Sequence, residues 1–224
     1  MGRGAAFFDL DRTLLRRSST LALAPAFRRH GVITRTQVAK AAFWQLLFVV
    51  RGTSGERVRA ASEEGLMLLR GYSPDRMREL VAESLEPVLR PLVFGEPVGL
   101  AREHRERGEP TYIVSAALQE VVDALAEDLG FDGALGTVCE VEDGVYTGRG
   151  LRSLHGENKA VAVRELATAD ALDLELSTAY SDSHTDLPFL ETVGRPVAVN
   201  PDRELRRVAA ARGWPVLRFS QRAA

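Results

Sequence analysis

Two aspartates, Asp9 and Asp11, stand two residues apart directly after the apolar run Ala5-Ala6-Phe7-Phe8. Carboxylates that close repel unless a cation or a proton separates their roles. One can then serve as a nucleophile and the other as a proton donor. A second pair, Asp182 and Asp186, follows another apolar run, in Ala179-Tyr180-Ser181-Asp182-Ser183-His184-Thr185-Asp186. Three or four carboxylates at one place are costly without a metal, and hard oxygen donors without thiolates point to magnesium. Taken alone, Asp-x-Asp is an acidic turn and Asp182 or Asp186 a helix cap; taken together the two pairs favour a site. Ser115 follows Tyr112-Ile113-Val114 and precedes Ala116 and Ala117. Small residues there let backbone N–H groups approach a phosphate oxygen, and the hydroxyl adds a donor. Lys159, in Gly156-Glu157-Asn158-Lys159, opens a helix after a glycine loop and can neutralise phosphoryl charge. The chain has 27 arginines and only two lysines, Lys40 and Lys159, so a lysine here carries more information than usual. Its ammonium is compact where arginine is a planar fork.

The elements that must position these residues can be read from periodicity. Residues 5–8 predict a buried strand. Residues 15–90 predict helices near 20–30, 35–51, 54–70 and 74–90, with Gly31, Gly52 and Gly71 as stops, Ser54 and Ser73 as N-caps and Pro74 at a first helical position. From residue 91 strands and helices alternate. Helices are expected near 96–107, 118–129, 157–168, 186–193 and 202–212. Strands are expected near 111–114, 134–138, 176–180, 196–199 and 215–219, and Asp143-Gly144 marks a tight hairpin. Alternation of this kind means a parallel sheet with helices on both faces. The helical block is then an insertion after the first strand. The expected division is residues 1–15 and 91–224 as an α/β core and residues 16–90 as a helical cap.

The chain has 224 residues, 45% hydrophobic and 27% charged, as in a soluble globular protein rather than a disordered one. Its single cysteine, Cys139, excludes a disulfide framework and a multi-cysteine zinc site, and favours a reducing compartment, the cytoplasm. A net charge of −2 excludes a general nucleic-acid binder. The longest apolar stretch, residues 41–50, is interrupted by Gln45 and falls short of the roughly 20 residues a membrane-spanning helix needs. The opening residues are too short an apolar run for a signal peptide. Residues 15–90 carry net +6 and the remainder net −8. A basic insert over an acidic core would attract an anion above a metal cation.

Asp9-Leu10-Asp11-Arg12-Thr13, Ser115 after its apolar run, Lys159 and Ser181-Asp182-Ser183-His184-Thr185-Asp186-Leu187-Pro188 together resemble, in that order, the four motifs of the haloacid dehalogenase superfamily of phosphohydrolases. The resemblance spans nearly the whole chain, and the helical insert is similar to the helical-bundle cap of its phosphoserine-phosphatase-like subfamily. It implies a Rossmann-like α/β core and a Mg²⁺-dependent phosphatase acting on a phosphorylated small molecule. In it, Asp9 is the nucleophile and forms an aspartyl-phosphate, and Asp11 is the general acid and then base. Mg²⁺ is held by Asp9, Asp182 and the backbone carbonyl of Asp11, with Asp186 holding bound water or orienting Lys159. Ser115, the backbone at Ala116, Lys159 and Thr13 grip the phosphoryl oxygens. In phosphoserine phosphatases an acidic residue lies nine positions after the nucleophile; here that position is Ser18, flanked by Arg16 and Arg17, so a substrate without a free amine is expected. Glu56 and Glu63 are other acids that could reach the pocket.

Several residues are weaker candidates. Asn200-Pro201-Asp202 follows a strand at the same sheet edge, a run the resembled enzymes often show, yet Asn then Pro predicts an N-cap with proline in the first helical position. His155 and His184 are expected to be exposed loop residues, Cys139 packing, and Trp44 with its apolar neighbours the core of the insert. A phosphotransferase or mutase using the same aspartate stays open, since water access decides that outcome. A dehalogenase leaves Asp11 without a task. A non-catalytic phosphate-sensing domain would predict erosion of a motif residue, and none is eroded.

Overall fold

Ala6-Phe7-Phe8 alternates between two apolar environments, and this alternation explains the architecture around it. In the computed structural model, which describes residues 2–33, 65–221 and 223, these residues form strand β1 (Ala6–Phe8) at the centre of a seven-stranded sheet. Phe8 packs into one core with Ile113, Tyr180 and Val197. Phe7 packs into the other with Tyr112, Val114 and Ala179. Successive strand residues point to opposite faces, so a strand covered on both faces must be apolar throughout.

The other strands are β2 (Thr111–Leu118), β3 (Gly133–Glu142), β4 (Val145–Arg152), β5 (Thr178–Ser181), β6 (Arg195–Val199) and β7 (Val216–Leu217). Their order is β4-β3-β2-β1-β5-β6-β7, and every pairing is parallel except β3 with β4. The antiparallel exception is the hairpin expected at Asp143-Gly144, where both residues take positive φ. From β1 the chain moves to β2 and β3 on one side, and from β5 it moves to β6 and β7 on the other. The boundary between β1 and β5 is therefore the topological switch point, and the crevice beyond its strand ends is where open α/β sheets bind ligands.

The helices are α1 (Ser19–Arg29), α2 (Pro74–Ser84), α3 (Gly95–Glu106), α4 (Gln119–Leu129), α5 (Glu157–Ala169), the short α6 (Leu187–Leu190) and α7 (Arg203–Arg212). Each lies within a few residues of its expected position. After α2, where one helix to residue 90 was expected, the chain passes into a π-helical turn (Leu85–Leu89) and a 3-10 turn (Arg90–Leu92). Pro87 and Pro91 lack the N–H groups that a continuous α-helix requires. Met77, Leu80 and Val81 of α2 share one buried cluster with Val121, Val122 and Leu125 of α4. The expected helix at 35–51, most of that at 54–70, and the readings of Ser54, Glu56, Glu63, Lys40 and the Trp44 cluster lie outside the described residues.

The segment just before α1 pairs with the segment that follows the 3-10 turn. Arg16 N–H donates to Leu92 O at 2.8 Å and Phe94 N–H to Leu14 O at 2.9 Å, with Leu15 bridged antiparallel to Val93. Among the described residues no helix is long and apolar enough to cross a membrane.

Candidate active site

Asp9 is the first residue past β1. Its N–H donates to Tyr180 O at 2.9 Å, which ties it to the end of β5 at the switch point. Lys159 comes from the first turn of α5. Its ammonium donates to Asp9 Oδ1 at 2.6 Å and to Asp186 Oδ2 at 2.7 Å. It is 2% exposed and lies 4.9 Å from the centre of the Phe189 ring. Asp186 precedes α6 in the N-cap position, yet its side chain makes no capping bond. Its carboxylate instead takes Lys159 and the Ser181 hydroxyl, the latter at 2.7 Å. Capping is thus not the role of Asp186.

Asp182 is buried, and among the described residues no hydrogen bond to its carboxylate is made. Burial, and then the charges of Asp9 and Asp186, push its pKa up, with Arg12 and Lys159 opposing. Asp9 is also pushed up, first by burial and against the pull of Lys159. Lys159 is held charged, because the two carboxylates outweigh its own burial.

Asp11 turns towards α1. Its Oδ1 accepts the N–H of Ser19, the first residue of that helix, at 2.8 Å. Burial pushes its pKa up, and the Ser19 and Ser18 hydrogen bonds oppose this. Arg12, between the two aspartates, has φ +64°. Ser115 is 3% exposed and sits where β2 bulges, a four-residue step from Val114 to Leu118 facing a two-residue step on β3. Its hydroxyl accepts the Ala117 N–H at 3.1 Å. Thr13 stands apart from the expected set. It is fully buried, and its hydroxyl has no partner among the described residues, so contact with a ligand oxygen requires the turn after Leu10 to open.

The charge balance tests the fit of a divalent cation. Asp9, Asp182 and Asp186 are buried hard oxygen donors, and one ammonium does not neutralise them. Yet among the described residues no group of three or more His, Cys, Asp or Glu stands as a ready-made metal cage. Lys159 occupies one oxygen of Asp9 and one of Asp186. The donor chemistry fits magnesium, which keeps several waters and uses few carboxylates, better than an ion that needs a full protein cage.

The family pattern of haloacid dehalogenase-like hydrolases matches residues 6–191, a span running from β1 through α6. The chain belongs to the haloacid dehalogenase-like hydrolases. Within that family it is 42% identical to a probable phosphatase of Mycobacterium tuberculosis, over 98% of this chain and 76% of the other. It is 36% identical to a phosphoserine phosphatase of the same organism, over 96% and 70%. A solved structure from Bordetella pertussis, described as a protein of unknown function, superposes with a TM-score of 0.84 at 33% identity, covering 97% of this chain and 99% of that one. The α/β fold expected from the sequence is therefore the fold of this hydrolase family.

Other expectations met different outcomes. The N-cap of α7 is Asp202, whose carboxylate accepts the Leu205 N–H at 2.8 Å; it is not Asn200. Asn200 takes φ +43°, a conformation its short polar side chain tolerates, and bonds both backbone groups of Phe219. Asp202 also receives the backbone N–H and Nδ1 of His184, each at 2.9 Å, and its own N–H donates to Asp182 O. His184 is thus a partner of this clasp rather than a bare loop residue. His155 is half-buried, and burial and the Lys159 charge push its pKa down. Cys139 is buried and free. Arg16 faces away from Asp11: its guanidinium lies over Phe94 and donates to Ser220 O. Ser19 and Ser181 hold site residues but carried no signal beyond those of a turn or a cap.

Proposed function

We propose that the protein is a Mg²⁺-dependent phosphomonoesterase that passes a phosphoryl group from a small-molecule ester to Asp9 and then to water. The observation that carries this reading is the buried Lys159 ammonium shared by Asp9 and Asp186, beside the unneutralised Asp182, at the switch point of the sheet. A phosphatase relative at 42% identity supports it. In the first step an Asp9 carboxylate oxygen attacks phosphorus. The bond to the ester oxygen breaks, and Asp11 gives that oxygen its proton. In the second step Asp11 takes a proton from water, the water oxygen attacks phosphorus, and the bond to Asp9 breaks. The burial that raises the Asp11 pKa favours the protonated form the first step needs.

Lys159, the Ser115 hydroxyl and the backbone N–H groups around Ala116 supply donors to the phosphoryl oxygens, and Thr13 adds its own where the turn after Leu10 opens. The metal's ligands would be Asp9, Asp182 and the Asp11 carbonyl, with Asp186 acting through water or through Lys159. When bound, Mg²⁺ neutralises charge on the transferring group. Residues 1–15 and 91–224 act as the core and residues 16–90 as an inserted cap, entered and left through the paired segments at Leu14–Arg16 and Leu92–Phe94.

The substrate carries no ammonium beside its phosphate. Ser18 offers no carboxylate at the position expected to bind such a group. Arg16, turned onto Phe94, takes no part in this choice. Hydrolysis of a phosphate-ester panel tests the reading. Activity should vanish with excess EDTA and fall by several orders of magnitude in Asp9→Asn; full activity in either case would sink it. Because one relative is a phosphoserine phosphatase, phosphoserine belongs in the panel. Its emerging as the best substrate by tenfold in kcat/KM would overturn the substrate class and leave the chemistry standing.

A further inference from the structure

We infer that Thr137 is a positioning residue that sets the phosphoryl-binding segment at Ser115, an inference that rests on the reading of Ser115 as a phosphoryl contact. Thr137 lies on β3 and is 3% exposed. Its hydroxyl donates to Ala116 O at 2.8 Å and accepts the Leu154 N–H at 3.4 Å. One side chain thereby joins two segments far apart in sequence. The first is the bulge that carries Ser115; the second is the loop that leads through Gly156 into Lys159.

The peptide plane makes the consequence specific. A trans peptide points its C=O and the following N–H in opposite directions. With Ala116 C=O drawn to Thr137, the Ala117 N–H points the other way, and it donates to the Ser115 Oγ. The Ser115 oxygen is then occupied as an acceptor, which leaves its own proton to be donated to an anionic oxygen. The bulge frees Ser115, Ala116 and Ala117 from regular pairing with β3, so without Thr137 nothing in the sheet ladder orients that peptide.

Thr137 is itself held in register. Gln119, opening α4, accepts the Gly136 N–H at 2.7 Å and donates to Ala134 O at 3.1 Å. A Cβ on Gly136 would come within 2.7 Å of the Gln119 Cα, so only glycine permits this approach. The strand is thus clamped just before the residue that must reach Ala116.

Calorimetric binding of inorganic phosphate in the presence of Mg²⁺, with steady-state kinetics on an aryl phosphate, tests the inference. Thr137→Val should weaken phosphate binding and raise KM about three- to tenfold, the range for loss of one neutral hydrogen bond, with kcat changed less. Thr137→Ser, which keeps the hydroxyl, should stay within about twofold of the parent. In a Ser115→Ala background, Thr137→Val should add little further loss, because both act on one contact. A hydroxyl serving the fold alone would lower the melting temperature and leave the phosphate affinity of the folded protein intact. That result, or independent multiplying effects in the double variant, would overturn the inference. Should Thr137→Val fail to fold, Thr137→Ala carries the same comparison. If Ser115→Ala weakens phosphate binding and the Thr137 variants do not, only the Thr137 role falls. If Ser115→Ala has no effect, the Ser115 reading falls and takes this inference with it.

Discussion

Lys159 brings one positive charge to three buried carboxylates, and its removal should therefore be felt in both stability and activity. Breaking a buried ion pair from one side costs on the order of 3–5 kcal/mol, because the partner charge stays behind unpaired. Lys159→Met should lower the unfolding free energy by that order, read as a lower urea midpoint, and abolish turnover. Asp182→Asn should do the reverse to stability. It removes a like charge from Asp9 and Asp186, so its melting temperature in EDTA should exceed the parent's while activity is lost. The same charges set a pH dependence. Asp9 and Asp182 have raised pKa values, so the folded state binds more protons than the unfolded one and stability falls as pH rises. In EDTA, thermal stability should decline from about pH 4, the ordinary carboxylate range, through neutrality. Mg²⁺ should restore it more at pH 8 than at pH 5. A flat melting profile over that range would show that the carboxylates are not buried as described. Asp9, Asp11, Ser115, Lys159, Asp182 and Asp186 could all be picked out in the sequence, since each follows a strand or opens a helix with a side chain of reactive type. Ser19, Ser181 and Thr137 could not, because a lone hydroxyl in a sequence is indistinguishable from a turn or a cap.

At the scale of elements, the segment Asp182–Asp186 is held from outside itself. Asp202 caps α7 and at the same time clasps His184 and the Asp182 carbonyl. Its carboxylate takes the Leu205 N–H, the His184 N–H and ring and the Ser183 hydroxyl, while its backbone N–H holds the Asp182 carbonyl. Asp202→Ala should cost about 1–2 kcal/mol through the lost cap. It should also raise the Mg²⁺ concentration needed for half-maximal protection against thermal unfolding, because the Asp182 segment loses its brace. A change in melting temperature with no change in metal dependence would assign Asp202 to the helix alone. Helix and strand positions were legible from periodicity over most of the described chain. Where the α2 reading ran on to residue 90, Pro87 and Pro91 turned the end of the helix into π and 3-10 turns. The cap of α7 turned on a distant contact instead: Asn200 and Asp202 both suit an N-cap by type, and Asn200 bonds Phe219.

Across the whole molecule, the C-terminal segment closes over the place where Leu14–Arg16 pairs with Leu92–Phe94. Gly95 N–H donates to Gln221 O, Ala223 N–H to Val93 O, and Ser220 and Gln221 both donate to Glu96 Oε1. Phe219 packs edge-on to Phe94, whose other contact is the Arg16 guanidinium. Removal of residues 218–224 should expose Phe94 and loosen the paired segments. The amides of Arg16, Phe94 and Gly95 should then exchange with solvent faster, while those of β1 and β5 keep their protection. Unchanged exchange at the three amides would show that the pairing of Leu15 with Val93 suffices alone. By itself the sequence determined the layered α/β class, the buried strand at its start and the identity of the charged groups, because these depend on local periodicity and residue type. Only the tertiary structure decided that Lys159 shares its ammonium between Asp9 and Asp186, that Asp11 faces the start of α1, that Thr13 is closed off and that Arg16 is turned away. Each of these depends on which groups the packed chain brings together or closes off, and burial and charge balance make that choice only once the strands have aligned.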